Sequence, residues 1–66
     1  MFYPVYFVNL DNTIHTMVYH DGDVYPPLGI PLSKYGYKTY TEAKEICDIF
    51  MLGVQIARDL AGIGND

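Results

Sequence analysis

The sequence predicts an α+β fold: an antiparallel β-meander of three to four strands followed by one long C-terminal α-helix packed on the sheet. Three observations predict it. The first twenty residues are rich in β-branched and aromatic side chains broken by Asp11-Asn12, the middle holds three of the four prolines, and the last third carries apolar residues at helical spacing. Together they describe a single small α+β domain over 1–66, with a β-hairpin at 4–20, a short strand at 23–25, a Pro-rich connection at 26–34 and a helix at 40–61.

Val5 to Leu10 and Thr13 to Tyr19 read as strands, because β-branched and aromatic side chains suit a pleated, half-buried surface. Asp11-Asn12 suits a two-residue hairpin turn, which needs positive φ angles. That turn would set Val8 opposite His15, Tyr6 opposite Met17, Phe7 opposite Thr16 and Val5 opposite Val18. Asp21-Gly22 offers a second turn into the strand at 23–25, which Pro26-Pro27 must end. The middle strand is then Thr13 to His20. Pro4, having no N–H to donate, is expected where the first strand starts or at a sheet edge.

The run from Pro26 to Ser33 has the composition of an extended connection, and Tyr35 to Lys38 can add a short fourth strand. Thr39, with Glu42 three residues later, forms a capping-box pattern for the helix, and Glu42 also suits the positive end of the helix dipole. At 100° per residue the apolar side chains of the helix cover about half its circumference, more than the ~100° stripe that one small sheet can bury. Ala43, Ile46, Phe50, Val54, Ala57 and Ala61 are assigned to the sheet. Ile49, Leu52, Gly53, Ile56 and Leu60 remain as a spare flank, with Met51 isolated among polar neighbours.

A chain of 66 residues buries only about 60% of the surface that its unfolded form exposes, so its core is thin. One cysteine, Cys47, cannot make an intramolecular disulfide, and no ligand cluster suggests structural zinc. Self-association is the remaining aid to stability. A homodimer is therefore expected, joined through the spare helix flank or through the sheet face opposite the helix. The lone thiol fits a reducing compartment, with the cytoplasm as default. No basic leader and no long uncharged apolar run occur, so neither a signal peptide nor membrane association is expected. A net charge of −4 with four Lys and Arg excludes a basic nucleic-acid-binding patch.

The candidate chemistry is sparse. His20-Asp21-Gly22-Asp23 sets an imidazole beside two carboxylates, the residue types of a metal or acid/base site and of a small-ligand or metal-dependent enzyme. Asp-Gly is first a turn signal, however, and His15, the other imidazole, should point to the opposite strand face. Cys47 with His15 would make a nucleophile and base, with no third group to orient the ring. No catalytic residue, cofactor or metal is therefore assigned.

Glu45, Asp48 and Asp59 share a helix side and offer an acidic mimic of nucleic acid that would inhibit a DNA- or RNA-acting enzyme, but Lys44 and Arg58 interleave with them. Seven tyrosines weigh more, since tyrosine gives large contact area at low entropy cost. Tyr25, Leu28, Ile30, Tyr35 and Tyr37 form a candidate partner-binding set. Ile49, Leu52, Gly53, Ile56 and Leu60 form the candidate dimer or partner interface. The expected function is a non-enzymatic protein-binding module, an inhibitor or adaptor that occupies a partner surface. In size it matches the free-standing inhibitors that phages direct at host or defence proteins.

Overall fold

The computed structural model describes residues 1–22 and 29–64. Strands β1 (Phe2–Val8), β2 (Ile14–His20) and β3 (Ile30–Pro31) form one antiparallel sheet, and helix α1 (Tyr40–Gly64) packs on it. The α+β arrangement expected from the sequence is thus present. The strand expected at 23–25 and the first residues of the Pro-rich connection lie outside the described residues.

The hairpin register differs from the expected one by a residue. Val5 is opposite Met17, Tyr6 opposite Thr16, Phe7 opposite His15 and Val8 opposite Ile14. The cause is the turn. Asn9 N–H donates to the Thr13 carbonyl at 2.8 Å and Asn12 N–H to the Asn9 carbonyl at 3.0 Å, leaving a three-residue loop in which Asn12 alone has positive φ, 66°. This is a turn followed by a left-handed residue, the usual three-residue hairpin solution. Thr13 locks it, donating from both its N–H and its hydroxyl to Asp11 Oδ1 at 3.0 and 2.6 Å. One extra loop residue shifts every cross-strand neighbour of β2 by one and so exchanges its faces.

The strand order is β2-β1-β3, so the central strand is β1 and the expected middle strand, β2, lies at an edge. Pro4 therefore sits in the interior strand, fully buried, and not at an edge. Its position is tolerated for a local reason. Phe2 exchanges hydrogen bonds with Tyr37, and the Pro4 carbonyl accepts from Leu32 N–H at 3.0 Å, so even-numbered residues of β1 turn their backbone groups toward the third strand. Val5 opposes Pro31 whereas Phe2 opposes Tyr37, and the third strand bulges by three residues opposite Tyr3 and Pro4. The ladder is already interrupted where Pro4 lacks a donor. Tyr37 forms this isolated bridge where a fourth strand at 35–38 was expected.

Both faces of β1 are covered. Even-numbered residues meet α1: Tyr6 and Phe50 rings lie 4.7 Å apart, and Phe2 meets Tyr40 edge-on at 6.2 Å. On the other face, Gly29 and Gly36 bring backbone against Val5, Phe7 and Tyr3, so closely that a Cβ on Gly29 would lie 2.8 Å from Val5 Cγ2. Adjacent residues Pro4 and Val5 are consequently both buried, and with Ala43 and Cys47 they make up the core among the described residues.

Thr39 caps α1 as its spacing predicts. Its Oγ1 accepts from Glu42 N–H at 3.2 Å, while its hydroxyl donates to Glu42 Oε1 at 3.1 Å. From Gln55 to Gly62 every helix residue is exposed, so Ala57 and Ala61, assigned above to the sheet, are not covered by it. The helix outruns strands of seven residues, giving the molecule extents of 47 × 24 × 16 Å.

Candidate functional site

Helix α1 presents three faces. Ala43, Cys47, Phe50 and Val54 look onto the sheet. Lys44, Asp48, Met51, Gln55 and Arg58 look toward β2, lining two shallow clefts with Thr13, Ile14, Thr16, Met17 and Val18. Met51, isolated in the sequence pattern, is half-buried here. Ile49, Leu52, Ile56 and Leu60 make the third face and stay 67, 62, 51 and 63% exposed. A Cβ on Gly53 would meet nothing within 4 Å.

At 100° per residue the spare stripe lies roughly 130° round the helix from the row facing β2, so it turns upward and toward the β3 side of the sheet. Ile30 is on that same side. It pairs with Tyr6, whose ring meets Phe50, so the Ile30 side chain is on the helix-bearing face, one strand further out, and 49% exposed. Tyr37, paired with Phe2, shares this face and is half-buried, its hydroxyl 3.3 Å from Ser33 Oγ. Tyr35 is 74% exposed within the bulge. Ile30 and Tyr37 therefore share the helix-bearing face of the sheet, a placement that sequence spacing alone does not reveal. Tyr25 and Leu28 lie outside the described residues.

The polar candidates are more dispersed. His20 meets Phe2 with its ring tilted and the centroids 4.7 Å apart, its Nε2 lies 3.6 Å from Asp21 Oδ1, and its Nδ1 accepts from Gly22 N–H at 3.3 Å. Asp21 also receives the chain's amino group at 3.0 Å, a hydrogen bond that holds its carboxyl below the usual carboxylate range. Asp23 lies outside the described residues. Among the described residues no three His, Cys, Asp or Glu side chains gather as metal ligands would. His15 stacks on Phe7, on the sheet face away from α1, while Cys47 is buried beneath α1 with Sγ 3.7 Å from the Met17 carbonyl. The sheet separates the two.

Of the acidic helix residues, Asp48 is engaged by Lys44 Nζ at 3.1 Å, which raises the lysine pKa, and Asp59 accepts from Gln55 at 2.9 Å. Among the described residues no helix is long and apolar enough to cross a membrane. No protein-family model matches the chain, and no curated protein or solved structure matches it either.

Proposed function

We propose that this chain is a non-enzymatic protein-binding module, an inhibitor or adaptor, that occupies a partner's surface with the outer flank of α1. The carrying observation is the uncovered stripe of Ile49, Leu52, Ile56 and Leu60. Leaving four large aliphatic side chains half or more exposed in one row is costly for a small chain, and such patches mark interaction sites. Gly53 at its centre lets a partner approach the helix backbone closely.

The surface area supports the same reading. A compact monomer of 7.5 kDa should expose about 4,250 Å². This chain exposes 5093 Å². The excess, roughly 850 Å², is close to the ~800 Å² that each partner contributes to a standard protein interface.

The test is differential capture from the native host with three immobilised forms: the natural chain, Leu52→Glu and Ile56→Glu. A protein held by the natural chain and released by both variants, with helicity unchanged by circular dichroism, is the expected result. A partner retained equally by all three forms refutes the reading. A fourth immobilised form, His20→Ala, serves as control: a partner lost on it instead would move the function to the turn after β2.

A further inference from the structure

We propose that the outer edge of β2 is a pairing site for a second copy of this chain, joining two sheets into one continuous six-stranded sheet. This dimer stands apart from the helix stripe, and either proposal can fail without the other.

The two edges of the sheet are treated differently. β3 is two residues long and contains Pro31, which blunts it as natural edge strands usually are. β2 is seven residues long, IHTMVYH, with no proline and no Lys, Arg, Asp or Glu. Thr13 and Asp21, which flank it, both turn backbone groups toward β1. By alternation the N–H and C=O groups of Ile14, Thr16 and Val18 point outward, and no described strand pairs with them.

A second copy fits this edge in three respects. With Thr16 on the two-fold axis, an antiparallel pairing sets Thr16 against Thr16 and Ile14 against Val18, which are favourable cross-strand neighbours. α1 packs over β1 and β2 alike, so with strands ~4.8 Å apart the two helices would lie about 10 Å apart, within ordinary helix-packing distance. The helix row facing that edge holds Lys44, Asp48, Gln55 and Arg58, a mixture of both signs that need not repel its copy. Pairing through the spare stripe in an antiparallel dimer would instead bring Glu45 and Asp59, which flank that stripe, against their copies. The edge dimer leaves both stripes facing outward, away from the axis.

The test is mass by light scattering across a concentration series on the natural chain, Thr16→Pro and Leu52→Glu, with amide exchange of the natural chain at Ile14, Thr16 and Val18. Proline at position 16 removes an outward donor and no internal ladder bond. The expected result is twice the chain mass for the natural protein and Leu52→Glu, a single chain for Thr16→Pro, and protection of the three amides that rises with concentration. If Thr16→Pro fails to fold, the exchange data and the Leu52→Glu mass still decide. A single-chain mass throughout overturns the proposal, as does a dimer that Leu52→Glu dissociates, one that Thr16→Pro leaves intact, or one without change at those amides.

Discussion

Arg58 donates from Nη2 to the carbonyl oxygen of Asn12 at 2.6 Å, tying the fifth turn of the helix to the tip of the hairpin. The contact joins residues 46 positions apart and lies where α1 leaves the sheet. Arg58→Ala should lower stability by about 0.5–1 kcal/mol, the net worth of one such hydrogen bond. Denaturant unfolding measures the loss, and amide exchange should show it concentrated at the hairpin tip and beyond residue 54 of the helix. A uniform change across the sheet would contradict a local tether.

Asn12 has φ of 66°, a conformation that side chains other than glycine adopt at a cost and that asparagine tolerates better than most. Asn12→Ala should therefore destabilise the chain by about 1 kcal/mol relative to Asn12→Gly. The glycine variant keeps the three-residue loop and the observed register. Thermal unfolding of the pair gives the difference directly.

Four glycines divide into two classes. A Cβ at Gly29 would lie 2.8 Å from Val5 Cγ2, and one at Gly36 would lie 2.7 Å from Tyr3 Cε1. Gly29→Ala and Gly36→Ala should each cost about 1–3 kcal/mol, because buried side chains of the central strand must move. Gly53 and Gly62 have open space around them, so Gly53→Ala and Gly62→Ala should stabilise the helix by up to about 1 kcal/mol. Unfolding midpoints of the four variants should separate by sign.

Asp11 is held below its usual value of 3.8, first by the Thr13 hydroxyl and then by the Thr13 N–H. A lowered carboxylate pKa stabilises the fold fully above 3.8, and the contribution is lost as pH falls through the lower folded value. Asp11→Asn should be less stable than the natural chain at neutral pH. The gap should close on acidification below the usual value, in unfolding midpoints measured against pH. A gap that is constant with pH would show that the carboxylate charge is not what Thr13 recognises.

Local features were legible in the sequence because their causes are local. Thr39 and Glu42 cap the helix since both partners lie within one turn. The exposed row at 49, 52, 56 and 60 follows from helical spacing and from the narrow strip a small sheet can cover. The hairpin was legible but its register was not. Asp11-Asn12 satisfies either loop length, and the choice fell to Thr13, whose two hydrogen bonds to Asp11 favour three residues. Ala57 and Ala61 continue the apolar pattern past the point where the strands end, and spacing carries no record of strand length in space.

By itself the sequence determined the α+β class, the capped helix and the surplus of apolar helix surface, all consequences of periodicity, propensity and chain length. The tertiary structure decided that β1 is central, that Pro4 is buried inside it, and that Ile30 lies on the helix-bearing face of the sheet. These follow from which strand the segment after Gly29 joins. That choice depends on long-range packing: glycines at 29 and 36 allow backbone to close over Val5 and Tyr3, and a bulge opposite Pro4 removes the need for its missing donor.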